Sequence, residues 1–126
     1  MKNMHNKNLG KLGEEKAIEY LSKKGYEILE TNFSFKTGEI DIITKQDNCI
    51  IFVEVKTRNN ISRGFPQESV TNFKINQIIR TALIYIKKKS LYDLDFRFDV
   101  ISVLPDNIEH IINAFDAEGM VESSFW

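Results

Sequence analysis

Two runs rich in β-branched residues, Gly38-Glu39-Ile40-Asp41-Ile42-Ile43 and Ile51-Phe52-Val53-Glu54-Val55-Lys56, lie on either side of the polar stretch Lys45-Gln46-Asp47-Asn48. Two strand-forming runs joined by turn residues predict an antiparallel hairpin. A two-residue turn at Asp47-Asn48 and a four-residue turn from Gln46 to Cys49 give the same register, in which Asp41 faces Glu54 and Glu39 faces Lys56. Side chains alternate along a strand, so one face gathers Glu39, Asp41, Glu54 and Lys56. Carboxylates on directly opposed residues, with Cβ atoms ~4.5–5.5 Å apart, repel by roughly 3–4 kcal/mol at an effective dielectric of about 20. Lys56 offsets part of this. A hard divalent cation with oxygen ligands offsets more, and Asp and Glu are its preferred partners. A carboxylate-bound cation beside a lysine is also the equipment of phosphoryl chemistry: the cation stabilises charge and activates water, and the ammonium steadies the attacking oxygen or the developing phosphorane charge.

The rest of the chain reads as one domain, 1–126, built around this hairpin, with irregular tails at 1–7 and 116–126. A length of 126 residues, 42% hydrophobic and 28% charged, suits a single sheet covered by helices. From Asn8 to about Lys24, Leu9, Leu12, Ala17, Tyr20 and Leu21 recur at helical spacing. At about 100° per residue, Glu14 projects only ~20° from Leu21, which makes it the one acidic residue on the rim of the apolar stripe. By periodicity alone it is a rim carboxylate reaching water, because charged residues are seldom buried unpaired. Gly10, Gly13 and Ala17 would let the helix approach the sheet closely, and Gly25 supplies its stop. Tyr26 to Phe35 reads as a first strand. A second helix, capped by Ser69 or Thr71 and running to about Lys89, carries an inner stripe of Ile75, Ile78, Ile79, Ala82, Leu83, Tyr85 and Ile86. Phe96 to Leu104 and Ile108 to Phe115 read as two further strands, with Arg97 and Asp99 on one face. Apolar residues on both faces of the hairpin call for helices on both sides of the sheet.

Several common chemistries are missing from the sequence. It has no Gly-rich phosphate loop, no CxxC pair and no Ser-His-Asp order. His5 and His110 are far apart and form no metal box; His110 reads as alone on an edge strand. The single cysteine, Cys49, rules out an internal disulfide and suits a reducing compartment. With no long apolar run and no signal-like segment, a cytoplasmic protein without membrane association is expected. A formal net charge of −1 provides no global basic field, so any contact with phosphates must come from a local patch. Two candidates for such a patch remain open. The loop from Thr57 to Glu68 leaves the acidic face directly after Lys56 and carries Arg58 and Arg63, either as substrate contacts or as solvated charges. Lys74, on the margin of the second helix, either faces the same site or snorkels to water.

Asp41, twelve intervening residues and then Glu54-Val55-Lys56 resemble the PD-(D/E)XK nuclease superfamily. The wider set is similar to the bacterial YraN family of predicted endonucleases: Gly10-x-x-Gly13-Glu14-x-x-Ala17, Gly25-Tyr26, Asn32, Gly38-Glu39-Ile40-Asp41, Phe52-Val53-Glu54-Val55-Lys56-x-Arg58, Ser69-Val70-Thr71 with Lys74, and Arg97-Phe98-Asp99-Val100. Ile40 stands where the superfamily's name has proline. The resemblance implies an α/β, restriction-endonuclease-like αβββαβ core, a mixed central sheet flanked by helices, similar to that of Holliday-junction resolvases. It implies a metal-dependent endonuclease hydrolysing DNA phosphodiester bonds, on branched or structured DNA, with Mg²⁺ or Mn²⁺ as cofactor and a homodimer as one arrangement. Carried over by position, Asp41, Glu54, Lys56 and Glu14 are catalytic. Asp41, Glu54, Glu14 and the Val55 carbonyl are metal ligands. Arg58, Arg63 and Lys74 are the candidate nucleic-acid contacts, Arg63 by its place in the loop alone, and Glu39 is either an acceptor behind the ligands or only a partner for Lys56. The other open reading is a catalytically weak or inactive nucleic-acid- or protein-binding module on the same fold.

Overall fold

The computed structural model describes residues 2–58 and 70–117, with side chains described from Leu9 onward. The elements run α1 (Lys2–Lys23), β1 (Glu27–Phe35), β2 (Gly38–Gln46), β3 (Cys49–Thr57), α2 (Asn72–Lys89), β4 (Asp95–Val103) and β5 (Ile108–Phe115). The five strands form one sheet in the order β1-β2-β3-β4-β5. All neighbours are antiparallel except β3 and β4, which run parallel. Parallel neighbours need a crossover, and α2 provides it. The expected αβββαβ core, a mixed sheet between helices, is present, with β5 added at the edge.

Local chemistry explains most of the boundaries. Gly25, at φ +91°, ends α1: its N–H donates to the Ser22 carbonyl at 3.1 Å, and the Tyr26 N–H donates to the Leu21 carbonyl at 3.0 Å. These two bonds are the Schellman pair that satisfies the last carbonyls of a helix. At the other end of the chain's helical content, Thr71 caps α2 by accepting the Lys74 N–H at 3.2 Å. The β2–β3 turn uses two residues, since Gln46 pairs with Cys49, and Asp47 takes the left-handed conformation at φ 54°.

The helices lie on opposite faces. Ala17 and Leu21 of α1 pack on Ile42, Ile51, Val53, Ile101 and Val103. Ile78, Ile79, Ala82, Tyr85 and Ile86 of α2 pack on Ile40, Ile43, Ile50, Phe52, Phe98 and Val100. Two details differ from the sequence reading. Residues 2–7, expected as an irregular tail, lie within α1. Leu83, expected in the inner stripe of α2, is 46% exposed, while Thr81 is fully buried. The cause is a close approach: a Cβ at Gly38 would sit 3.2 Å from Gln77 Cβ and 3.5 Å from Thr81 Oγ1. That space admits a small hydroxyl, which is bonded to Gln77 O at 2.8 Å and to Thr37 Oγ1 at 2.7 Å. Leu83, about 200° around the helix from Thr81, faces outward.

Candidate active site

The β2–β3 ladder runs from Gln46↔Cys49 to Ile42↔Val53, in the register predicted from the turn. It stops one rung short of Asp41 and Glu54. There the Val55 N–H donates to Asp41 Oδ2 at 2.8 Å, so a carboxylate stands where the ladder would continue and the strands part. The resulting cleft of about 430 Å³ is lined by Asp41, Glu54, Val55, Lys56 and Thr57 from the sheet and by Leu9, Gly10 and Glu14 from α1. Gly13 brings the helix this close: a methyl at that position would run into Thr57 Oγ1.

Glu54 is the centre of the cleft's electrostatics. It is 5% exposed, and Lys56 Nζ and Lys74 Nζ stand 3.5 Å and 3.8 Å from its Oε2. Its Oε1 is buried without a hydrogen-bond partner. Burial, followed by the neighbouring Asp41 charge, pushes the Glu54 carboxyl up to about 7, against the pull of the two ammonium groups. Two like charges at short range in a partly dry site favour the state in which one is protonated.

Glu14 is half-buried on the cleft's α1 side. Burial and the charges of Asp41 and Glu39 raise its carboxyl above the ordinary value, while a hydrogen bond from Asn32 works the other way. Glu39 is exposed and paired across the strands with Ser34. The carboxylate partner of Lys56 is Glu54, not the Glu39 expected from the register, because β2 turns away from β3 before Glu39 is reached. Lys74 reaches Glu54 from α2, which places it at the site. The Arg58 N–H donates to the Val103 carbonyl at 2.8 Å and prolongs the β3–β4 pairing. Arg63 lies outside the described residues.

The donor set suits a hard cation. Asp41 is oriented through Oδ2, and Glu54 brings a buried, unbonded oxygen; two neighbouring carboxylates of this kind are the ligands Mg²⁺ and Mn²⁺ take. Among the described residues no group of three or more His, Cys, Asp or Glu side chains is arranged to hold a metal ion. Glu14 therefore lines the cleft without closing a three-carboxylate cage. Mg²⁺ commonly binds through one or two carboxylates and completes its shell with substrate phosphate and water.

Two features escaped the sequence reading. Asn32, at φ 52°, takes the left-handed conformation within β1; a period-two strand pattern gives no sign of a residue in the left-handed region. His110 is not alone. Its Nε2 lies 2.7 Å from Asp99 Oδ2 and its Nδ1 3.0 Å from the Tyr20 hydroxyl, and its side chain is only 6% exposed. Asp99, fully buried, also receives Arg97 Nε at 2.8 Å, Arg97 Nη2 at 2.9 Å and the Asn113 N–H at 2.9 Å. Burial works to raise the Asp99 carboxyl, yet the bonds from His110, Arg97 and Asn113 hold it below the ordinary value. This cluster ties β4, β5 and α1 together on the sheet face that α1 covers. The parity of Arg97 and Asp99 was legible; the convergence of Tyr20 and His110, ninety residues apart, was not.

Among the described residues no helix is long and apolar enough to cross a membrane. The profile of Uncharacterised protein family UPF0102 matches residues 13–103. A UPF0102 protein of Clostridioides difficile is 52% identical over 114 residues, covering 89% of this chain and 100% of its own length. One from Trichlorobacter lovleyi is 50% identical over 117 residues, covering 88% and 92%. One from Persephonella marina is 46% identical over 109 residues, covering 86% and 94%. The profile spans the candidate catalytic, metal-binding and nucleic-acid-binding residues, from Glu14 to Lys74.

Proposed function

Because the chain belongs to Uncharacterised protein family UPF0102, the YraN family, we propose that the cleft between β2 and β3 is the active site of a metal-dependent endonuclease that hydrolyses DNA phosphodiester bonds. The observation that carries this reading is Glu54: a buried carboxylate beside Asp41, with two ammonium groups on one oxygen and no hydrogen-bond partner on the other. Asp41 and Glu54 would hold Mg²⁺ or Mn²⁺, with Glu14 and the Val55 carbonyl as the further ligands that the resemblance implies. When bound, the cation neutralises the two carboxylates, draws charge from the phosphate and activates water. Lys56 holds the attacking water in line and offsets charge on the phosphorane oxygens. Lys74, which shares Glu54 Oε2 with Lys56, turns to a backbone phosphate once that carboxylate is neutralised. Arg58 and Arg63 supply further phosphate contacts, which position the substrate without reading its sequence. Such contacts favour recognition of DNA shape, and branched DNA is the substrate class to test first.

A second reading, a binding module with little hydrolysis, is favoured by one observation: the lack, among the described residues, of a three-carboxylate group. Calorimetry and cleavage assays separate the two. Titration with Mn²⁺ is expected to give binding that is lost in Asp41→Ala. Incubation with plasmid, single strands and four-way junctions is expected to give Mn²⁺-dependent cuts that disappear with chelator and in Lys56→Ala. Cleavage undiminished in Lys56→Ala would mean that the activity comes from elsewhere, and DNA binding with no cleavage by wild type would favour the module.

A further inference from the structure

We propose that Lys74 is an exchangeable counter-ion of Glu54: it neutralises the buried carboxylate in metal-free protein and passes to a DNA phosphate once that carboxylate holds a divalent cation, so that metal binding and DNA binding are coupled. The inference rests on the metal-site reading of the cleft, and adds the direction in which Lys74 acts on each ligand. Glu54 is 5% exposed, and Lys56 Nζ at 3.5 Å and Lys74 Nζ at 3.8 Å approach the same oxygen, Oε2. The other oxygen, Oε1, is buried with no hydrogen-bond partner. A buried carboxylate with no positive partner is costly, so metal-free protein needs an ammonium at this position. Two ammonium groups crowded onto one oxygen repel each other, and a further positive charge on the same carboxylate leaves one of them without a use there.

The two lysines differ in how they are tethered. Lys56 lies two residues from Glu54 on the same side of β3, the strand is held in its ladder with β4 by Lys56↔Ser102, and the side chain lines the cleft. Its backbone position keeps it beside Glu54. Lys74 belongs to another element. Its backbone is fixed in the first turn of α2, where its N–H donates to the Thr71 cap at 3.2 Å, and only the flexible four-carbon stem brings the ammonium to Glu54. The side chain is 36% exposed, so it swings outward without moving the helix. The first turn of α2 has no acidic residue, and the positive end of a helix disfavours a cation. Lys74 is therefore better placed on an anion, and the site offers it two, Glu54 and the phosphate of bound DNA. Neutralising Glu54 releases Lys74 to the phosphate. By reciprocity, DNA that draws Lys74 away raises the affinity of Glu54 for the cation by the same factor.

The test uses the full chain and reads binding instead of cleavage, with a thermal midpoint for each variant to confirm that it is folded. In calorimetry at pH 8 without DNA, Lys74→Met is expected to bind Mn²⁺ about five-fold more tightly than wild type, because one ammonium no longer competes for Glu54. A lysine that serves only as a phosphate contact would leave this affinity unchanged, and one that supports the metal site would lower it; either result overturns the proposal. A metal-free arm measures the same exchange. With chelator present, Glu54→Gln stands in for the neutralised carboxylate, and fluorescence anisotropy with a four-way junction is expected to show about five-fold tighter DNA binding than wild type. In a Lys74→Met background the same substitution reports only the loss of a negative charge near the phosphates, and the gain is expected to shrink. Equal gains in the two backgrounds, a double-mutant cycle with no coupling, would overturn the proposal. If wild type binds no Mn²⁺ the nuclease reading falls, and the chelator cycle still decides whether Glu54 holds Lys74 back from DNA.

Discussion

Glu54 carries an acid whose protonated form the fold prefers, and the sign of its contribution to stability follows. Its carboxyl is pushed from about 4.5 in the unfolded chain to about 7 in the folded one, so between those values the native state binds more protons than the unfolded state. Stability from this group is therefore greatest below the lower value and is lost as pH rises through the higher one. A shift of this size corresponds to roughly 3–3.5 kcal/mol at most. In metal-free protein, Glu54→Gln is expected to flatten the fall in urea-unfolding stability between pH 5 and pH 8, leaving the variant relatively more stable at the higher pH. Addition of Mn²⁺ at pH 8 is expected to raise the thermal midpoint of wild type and not that of the variant. If both proteins show the same pH slope, Glu54 does not carry the buried charge.

Helix α1 delivers Glu14 only because one of its turns has no side chain. A methyl at Gly13 would meet Thr57 Oγ1, and Thr57 Cβ would lie 3.3 Å away, so the helix or the end of β3 must move. Alanine gains roughly 1 kcal/mol in helix propensity over glycine, and overpacking costs about 1–3 kcal/mol. Gly13→Ala is expected to lower the thermal midpoint despite the better propensity, and Thr57→Ala is expected to restore it in the double variant. Gly10, one turn earlier, has no described atom within 4 Å of a built Cβ. At that position alanine is expected to stabilise, which shows that close approach is a property of Gly13 and not of every small residue on this face. Strand β2 sets the other wall of the cleft. It holds register with β3 up to Ile42 and then yields to a side-chain bond, so the site depends on a ladder that ends at Asp41.

For the whole molecule, charge and pH act through two separated groups. The Asp99 carboxyl is held below its ordinary value, so the stability it contributes is present above the unfolded value and is lost as pH falls through the folded one, opposite in sign to Glu54. Asp99→Asn strips the charged partner from Arg97 and His110 in a buried site, and breaking a buried pair typically costs about 3–5 kcal/mol. Urea unfolding of Asp99→Asn at pH 7 is expected to show a loss of that order, with Mn²⁺ affinity unchanged because the cluster does not line the cleft. With a net charge of −1 there is no global basic field, so the DNA binding that the proposed function requires would rest on the local patch. The four candidate cations, Arg58, Arg63, Lys56 and Lys74, would give a slope of log K against log salt of roughly −3 to −4, from about 0.9 per phosphate contact. Fluorescence anisotropy over a salt series measures it, and a slope near zero would exclude this patch as the DNA-binding surface.

The amino-acid sequence by itself determined what depends on neighbours along the chain. Alternation and turn chemistry set the β2–β3 hairpin and its register, Gly25 and Thr71 set the helix ends, and the spacing of Asp41, Glu54 and Lys56 marked the stretch where charge is concentrated. Tertiary structure alone decided which charges meet. Register placed Glu39 with Lys56, but the strands part before that rung, and Glu54 takes Lys56 and Lys74 instead. Periodicity left Glu14 on a rim; the helix's height over Thr57 put it in the cleft. His110 acquires its partners only across strands and helices far apart in the chain. The physical reason is that hydrophobic periodicity reports which face of an element is buried. A hydrogen bond or ion pair depends on distances of a few ångströms between elements, and these are set by packing details such as a missing methyl at Gly13.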